Sequence, residues 1–432
     1  MERTAVKLDW LTVVLFVIFV IFGWMNIYSA SNRELDGSWF NLDYNYGKQL
    51  VWVLLAFGLG FVIMTLDIKF IDVLSYGVYG ICILLVIGVT LFGREVNGAR
   101  ACFEIGDFRL QPAEFAKIAT AMALAKYISK HNFSVDNPRD KLAVLGIIGL
   151  PAVVIAIEDA GTALVFSAFI FMLFREGLSP IYLILGFLAI VITIVTLLMN
   201  NYVWLFLDAN WILTIIIGVL VVLTYILIFK FKKSLEIILL HILVGGFFIG
   251  LVFSVDYVMD KVLLAHQQKR VRAVLGLDAE NRLGKDWNVI QSKIAIGSGQ
   301  LNGKGYLEGT QTKYDFVPQQ DTDFIFCTIG EEWGWVGSSV LLILFLVFFA
   351  QLLFISENTK SRYGRVYGYS IASVFLFHIV INVGMTIGLA PVVGIPLPFF
   401  SYGGSSLVSF TVMLFILLNL YANRSNILMK HR

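Results

Sequence analysis

Apolar runs of about 20 residues recur along almost the entire chain, and each is long enough to cross the ~30 Å hydrocarbon core of a bilayer as a helix. These runs lack the alternating hydrophobicity that is typical of membrane-barrel strands. Only 14% of the 432 residues are charged, whereas about a quarter are charged in a soluble domain. The sequence therefore predicts an all-α fold, a polytopic membrane helix bundle.

Polar breaks between the apolar runs predict about 12 spans. The fifth and sixth are either two short spans or one pair broken around residues 158–161. The predicted spans are residues 10–30, 49–66, 70–92, 112–129, 142–158, 160–175, 181–206, 211–230, 235–256, 323–355, 366–388 and 405–423.

The basic residues predict the orientation of these spans. With a cytoplasmic N-terminus, 17 Lys and Arg residues fall in inner segments and five in the short outer loops. This asymmetry satisfies the positive-inside rule and leaves both termini in the cytoplasm. The one long loop, 257–322, is then extracytoplasmic and precedes the tenth predicted span.

Several ionisable residues fall inside or beside apolar runs, where an unpaired charge costs several kcal/mol. Glu114 and Lys117 are three residues apart and can pair on one helical face; alternatively, Glu114 favours the helix dipole and Lys117 snorkels outward. Asp159 and Asp323 each precede an apolar run, so each either caps a helix or serves a polar cavity. His378 is interpreted as a packing histidine in preference to a proton carrier.

Two further segments have the composition of a binding site. The long loop contains Gln267, Arg270 and the Gly-Lys-Gly sequence around Lys304, and its glycines permit either ligand approach or ordinary turns. Residues 390–405 are apolar, yet their prolines and glycines exclude a regular helix. Non-helical backbone at membrane depth must be buried in protein or line a wet cavity. We therefore expect a re-entrant or interfacial segment on the outer face.

Eight motifs, taken together and in order, resemble the SEDS family of bacterial shape, elongation and division proteins, which includes RodA, FtsW and SpoVE. The sequence of residues 309–318 resembles the RodA branch, which serves cell elongation. The motifs are Asn-Gly-Ala-Arg (97–100), Gln-Pro-Ala-Glu-Phe-Ala-Lys (111–117), Asp-Ala-Gly-Thr-Ala (159–163), Gln-Ser-Lys-Ile-Ala-Ile-Gly-Ser-Gly (291–299), Gly-Lys-Gly (303–305), Thr-Asp-Phe-Ile-Phe (322–326), Gly-Glu-Glu (330–332) and Pro-Leu-Pro-Phe-Phe-Ser-Tyr-Gly-Gly-Ser (396–405).

The chain also departs from the family's usual pattern. Ala101 and Cys102 stand where a basic residue and Trp are usual, and Glu158 stands where Pro is usual. Gln319 and Asp321 replace the common Glu and His. The resemblance further implies one membrane domain over 1–432, with a core of ten spans and an inserted transmembrane hairpin within 181–256.

The resemblance implies a peptidoglycan glycosyltransferase that polymerises lipid II at the outer face of the bacterial inner membrane. Asp323 is then the general base, because the family's matching aspartate has that role. Glu114, Lys117 and Asp159 would form the cavity floor, and Asp323 with Glu114 would hold a divalent cation, Mg²⁺ or Mn²⁺. The substrate-binding residues expected on this basis are Arg100, Gln267, Arg270, Lys304 and Ser401.

The expected partners are lipid II, the nascent glycan strand, a class B penicillin-binding protein transpeptidase and other membrane proteins of the elongation complex, with no nucleic acid and no organic cofactor. Two alternatives remain at this stage. A lipid II flippase also needs a polar cavity among many helices, although the sequence contains no convincing internal repeat. A non-catalytic scaffold for the transpeptidase would need partner binding alone.

Overall fold

The computed structural model describes residues 8–31, 40–96, 99–105, 108–199, 209–229, 235–262, 268 and 286–424. The chain divides into two compact units, one formed by 1–178 with 288–432 and the other by 179–287. Within the described residues, helices predominate and each of the 12 predicted windows contains one or more helices.

The elements are numbered here in chain order. They are α1 Trp10–Ser31, α2 Asn45–Thr65, α3 Ile68–Phe92, β1 Arg94–Val96, β2 Ala99–Ile105, β3 Phe108–Leu110, α4 Pro112–Ile128, α5 Pro138–Glu158, α6 Ala160–Leu164, a 3₁₀ turn Val165–Ala168, α7 Phe169–Arg175, α8 Pro180–Met199, α9 Ala209–Phe229, α10 Leu235–Tyr257, a π turn Val258–Val262, α11 Asp286–Ser298, α12 Thr310–Lys313, α13 Ile325–Glu332, α14 Gly334–Asn358, α15 Arg362–Thr386 and α16 Gly404–Ala422.

Among the described residues, nine helices are long and apolar enough to cross a membrane: α1, α2, α3, α5, α8, α10, α14, α15 and α16. The apolar helix α4 has 17 residues, and 160–175 and 210–226 form shorter apolar helices. The eight-residue α13 precedes α14 and is not one of the nine. The prediction of a polytopic helical bundle is therefore confirmed.

Local sequence explains where several helices begin. Pro112 and Pro138 occupy the first turns of α4 and α5, where proline loses no helical hydrogen bond. Asp67 and Ser361 cap α3 and α15 by accepting from the backbone N–H groups of Lys69 and Gly364. Side chains that cap a first turn satisfy donors that have no partner inside the helix.

A small antiparallel sheet, β1-β2-β3, is a feature that the sequence analysis did not predict. Val96 pairs with Ala99 and Glu104 pairs with Arg109. The signal was present in the Asn-Gly dipeptide at 97–98, which is typical of two-residue hairpin turns.

The helices α15 and α16 form the centre of the larger unit. In the most apolar stretch of each helix, 67% of α15 and 89% of α16 is buried inside the protein. Between them, residues 390–403 contain no regular helix, as predicted. Phe399 lies in an aromatic cluster with Phe16 of α1, Phe375 of α15 and Phe410 of α16. This cluster holds the irregular segment inside the helical core.

The smaller unit contains α8, α9 and α10, which pack around Leu213, Ile217, Phe248 and Val252. Helices therefore occupy the three windows 181–206, 211–230 and 235–256. The assignment of an inserted hairpin within 181–256 stays a prediction. In the stretch predicted as the long loop, α11 and α12 are helical, whereas Gln267 and Arg270 lie outside the described residues.

The close approach of α1 to the irregular segment generates a stability prediction. A Cβ at Gly23 would lie 2.7 Å from the Cα of Phe400, whereas a Cβ at Gly58 of α2 would meet no atom within 4 Å. Gly23→Ala should therefore lower the free energy of unfolding by about 1–3 kcal/mol through overpacking. Gly58→Ala should leave it unchanged or raise it slightly, because Ala favours helix over Gly. Thermal unfolding in detergent measures both, and equal melting temperatures for the two variants would contradict this packing.

Candidate functional site

Asp323 lies in the turn before α13, against the irregular segment 390–403. Its main-chain carbonyl accepts a hydrogen bond of 2.9 Å from the side-chain amide of Asn382. Gly394 has φ of +75°, and a Cβ there would lie 3.3 Å from Asp323 Oδ2. The side chain of Asp323 is therefore partly buried and faces a turn that glycine makes possible.

The capping alternative for Asp323 is wrong. The N-cap of α13 is Phe324, with no side-chain hydrogen bond to the first turn. The backbone N–H of Phe324 bonds the carbonyl of Gln319, whose φ is +58°. The tight turn that ends at Phe324 thus moves the helix start one residue beyond Asp323.

Glu114 and Lys117 form a fully buried ion pair in α4. Lys117 Nζ donates to both carboxylate oxygens of Glu114 at 2.9 and 2.8 Å. The snorkelling alternative is wrong, since the side chain of Lys117 is 0% exposed. Lys117 Nζ also lies 2.9 Å from His378 Nε2, so His378 accepts there and donates from Nδ1 to the carbonyl of Pro396 at 3.1 Å.

His378 is thus a buried, fully partnered side chain, as interpreted, but it also joins α4 to the irregular segment. The sequence did not predict that contact, because Lys117 and His378 are 261 residues apart.

Asp159 caps α6, in agreement with one of the two alternatives. Its carboxylate accepts from the backbone N–H of Thr162 at 3.1 Å and from its hydroxyl at 2.6 Å. It also accepts from Gln111 Nε2 at 3.3 Å. A Cβ at Gly161 would lie 2.2 Å from the carbonyl oxygen of Val393, so the start of α6 also packs directly against the irregular segment.

The predicted substrate-binding residues fall in different surroundings. Ser401 is buried, and its hydroxyl accepts from the backbone N–H of Leu397 at 2.8 Å. Lys304 Nζ contacts Glu331 Oε1 at 2.6 Å. Arg100 lies exposed on β2, and its backbone N–H donates to Glu158 Oε2 at 2.9 Å. Substrate roles for these residues stay predictions.

Glu331 organises the loop before α13, and sequence reasoning missed it. Its carboxylate accepts from the backbone N–H groups of Gln311 and Thr312 at 2.8 and 2.9 Å and pairs with Lys304. Burial would raise the pKa of Glu331, but these hydrogen bonds lower it below its usual range. Two adjacent glutamates in an otherwise apolar sequence were the available signal.

Glu332 has the opposite electrostatic behaviour. It is buried, and its carboxyl contacts the hydroxyl of Ser29 on α1. Burial raises the pKa of Glu332 to about 7, because the hydrogen bonds from the Ser29 hydroxyl and the Leu307 backbone N–H do not replace the lost hydration.

A cavity of about 580 Å³ opens beside the turn that carries Asp323. It lies between the last residues of α1, the start of α2 and the loop 315–321. Its lining residues are Ala30, Ser31, Asp43, Tyr44, Asn45, Asp315, Val317, Pro318, Gln319, Gln320 and Asp321.

Within the part of the chain that the structure describes, no group of three or more His, Cys, Asp and Glu side chains is arranged to hold a metal ion. The carboxylate of Glu114, one of the two predicted ligands, is already bound by Lys117. The described residues therefore do not fit a preformed cation site at Asp323 and Glu114.

The model of the FtsW, RodA and SpoVE family, described as cell cycle proteins, matches residues 9–212 and 208–426. This chain belongs to that family. The peptidoglycan glycosyltransferase RodA of Treponema pallidum is 33% identical over 96% of this chain and 98% of its own length. The peptidoglycan glycosyltransferase MrdB of Escherichia coli K12 is 33% identical over 80% of this chain and 77% of its own length.

A solved structure from a peptidoglycan synthase complex has the same fold as this family member. Its TM-score is 0.66 at 24% identity, over 97% of this chain and 98% of that chain. The resemblance to the SEDS family and its RodA branch is confirmed, and the chain is a multi-pass membrane protein.

The buried ion pair of this FtsW/RodA/SpoVE protein generates a second prediction. Lys117→Met leaves the Glu114 carboxylate buried without a cation and should cost about 3–5 kcal/mol of unfolding free energy. Adding Glu114→Gln should recover a large part of that loss. Arg175→Met, which breaks a pair with side chains 43% and 53% exposed, should cost under about 1 kcal/mol. Chemical or thermal unfolding in detergent measures all three, and a double variant as unstable as Lys117→Met would contradict the ion-pair account.

The raised pKa of Glu332 generates a third prediction. The folded state holds a proton on Glu332 between pH 4.5 and about 7, where the unfolded state has released it. Folding is therefore favoured below this window, and stability falls as the pH rises through it. The melting temperature should fall from pH 5 to pH 8, and Glu332→Gln should flatten that fall and stabilise the protein at pH 8. If the melting temperature of Glu332→Gln fell with pH as steeply as that of the wild type, the assignment of this pH dependence to Glu332 would be wrong.

Proposed function

We propose that this chain is a peptidoglycan glycosyltransferase that polymerises lipid II into glycan strands during cell elongation, at the outer face of the bacterial inner membrane. The observation that carries the proposal is the partly buried Asp323 carboxylate at the Gly394 turn, two residues after Asp321, which lines a cavity of about 580 Å³. Relatives that are named peptidoglycan glycosyltransferases and match most of the chain support the same reaction.

Asp323 acts as the general base. An acceptor sugar hydroxyl loses its proton to the carboxylate as its oxygen attacks the anomeric carbon of the donor. The bond between that carbon and the diphosphate oxygen breaks, and the diphosphate leaves with the bonding electron pair. A single displacement inverts the configuration at the donor carbon. Because a diphosphate leaves without protonation, one carboxylate suffices, unlike the pair that glycoside hydrolysis requires.

Neutralising the departing diphosphate requires cationic groups near the reacting carbon. Arg100, which is exposed on β2, is proposed for this role, and Arg270, with Gln267, is proposed from the sequence alone. Lys304 would have to leave Glu331 or share its charge with the substrate. The expected Mg²⁺ or Mn²⁺ also stays a prediction, which addition of a chelator to the polymerisation assay tests.

The orientation that the basic residues predict supports an outer site. Ala30 and Ser31, at the end of α1, line the same cavity as Asp321. If the N-terminus is cytoplasmic, α1 ends at the outer surface and Asp323 lies at that surface too. Lipid-linked donors and acceptors would reach this end of the bundle from the outer leaflet.

A class B penicillin-binding protein is the partner that we propose, together with other membrane proteins of the elongation complex. The solved structure with the same fold comes from a complex that coordinates polymerization and crosslinking. Such a partner would crosslink the strands that this chain polymerises.

The fourth prediction tests the base. Asp323→Asn keeps the size of the side chain but removes its basicity, so the polymerisation rate should fall by about 10²–10⁴-fold. Full-length protein in liposomes, supplied with lipid II on the outer side, is assayed for glycan strands by gel electrophoresis. Glu308→Gln changes an exposed carboxylate of the preceding loop and should leave the rate unchanged.

The same assay separates the alternatives. Movement of lipid II across the bilayer without polymer would favour the flippase. Normal polymer formation by Asp323→Asn would exclude Asp323 as the base. The scaffold would be favoured if the wild-type protein bound its transpeptidase partner normally and the two together made no polymer.

A further inference from the structure

Asn382 of α15 is fully buried and connects the two segments that meet at Asp323. Its Nδ2 donates to the carbonyl of Asp323 at 2.9 Å and to the carbonyl of Ile395 at 2.8 Å. The first carbonyl belongs to the residue proposed as the base, and the second follows Gly394, whose Cα faces Asp323 Oδ2.

One amide group thus fixes both sides of the contact between Asp323 and the Gly394 turn. We propose that Asn382 is a positioning residue for the glycosyl transfer, holding the Asp323 carboxylate at a fixed place against that turn. The inference rests on the proposed function, and it assigns to Asn382 a role in the rate of the reaction in addition to packing.

The chemistry of the amide explains why asparagine is required. Both acceptors are backbone carbonyls in a buried environment, and a single NH₂ group carries two donors. A leucine of similar volume would fill the space but leave both carbonyls unsatisfied. The backbone N–H of Tyr402 would still bond the carbonyl of Asp321, but the direct bridge between Asp323 and Ile395 would be lost, and the carboxylate would lose its fixed distance from the substrate.

The neighbouring contacts of His378 do not replace this one. His378, one helical turn before Asn382, bonds the carbonyl of Pro396 and so holds the irregular segment to α15. Its bonds are to Pro396 and Lys117, on the segment and on α4. Asn382 extends the attachment from the segment to Asp323.

The chain offers a matched control in α16. Asn419 is also fully buried, and its Nδ2 also donates to two backbone carbonyls, of Ile63 at 2.6 Å and of Leu66 at 2.9 Å. These carbonyls lie at the end of α2, remote in sequence from the site. Asn382→Leu and Asn419→Leu therefore remove the same pair of amide donors from a fully buried position, and differ in the carbonyls that those donors hold. Asn419 Oδ1 also accepts from Asn423 Nδ2 at 2.8 Å, so the control removes one bond more than the test variant.

The fifth prediction compares these variants with the wild-type protein. In full-length protein in liposomes, Asn382→Leu should lower kcat for lipid II polymerisation by about 10²-fold, because misplacement of a catalytic group by about 1 Å costs that much. The KM should change little, since the substrate contacts remain. Asn419→Leu should lower the melting temperature to a similar extent while kcat stays close to the wild-type value.

Asn382→Asp is a second variant, which has the shape of asparagine but lacks the amide donors. If Asn382→Leu does not fold, the kcat of Asn382→Asp tests the inference in its place. Equal kcat losses for positions 382 and 419, or a raised KM with unchanged kcat for position 382, would overturn the inference.

Failure of the proposed function would give results different from failure of the Asn382 inference. It would appear as wild-type protein with its partner that makes no polymer, or as Asp323→Asn with full activity. A wild type that polymerises, an inactive Asp323→Asn and an Asn382→Leu that behaves like Asn419→Leu would overturn the role of Asn382 alone.

Discussion

The irregular segment 390–403 imposes the main physical constraint on this protein. A backbone that leaves the helix inside an apolar bundle exposes N–H and C=O groups that water does not reach, and each must find a partner. Buried side chains of neighbouring helices supply those partners. They are His378 and Asn382 of α15, Gln49 of α2 and, within the segment, Ser401.

These partners also determine what the segment can do. Because His378 is bound in turn by Lys117, the position of Pro396 depends on the buried ion pair of α4. Because Asn382 binds both Ile395 and Asp323, the position of the candidate base depends on the same segment. The polar residues inside the bundle are thus connected through main-chain carbonyls, and satisfying the irregular backbone arranges the site.

Sequence predicted the features that depend on local pattern. Apolar length predicted the helices, and the prolines and glycines of 390–405 predicted the break between them. The spacing of three residues gave the pairing of Glu114 with Lys117 as one of two alternatives. The partners of His378, Asn382 and Glu331 were not predictable, because they come from residues distant in the sequence. The capping hypothesis for Asp323 failed for a related reason. It considered the helix start alone, whereas the preceding turn at Gln319 decides which residue becomes the cap.

At Asp321, one departure from the pattern that the resemblance implies, a main-chain contact attaches the turn to residues 390–403. Asp321 replaces a common histidine, yet its carbonyl accepts from the backbone N–H of Tyr402 at 2.8 Å, a bond that any residue at this position makes. Its side chain meanwhile accepts from Asn45 and lines the cavity beside the site. A change of side chain at position 321 therefore alters the charge of the cavity without altering the attachment of the turn to residues 390–403. The geometry at Asp323 therefore depends on Asn382 and Gly394, behind the cavity, and not on the side chain at position 321.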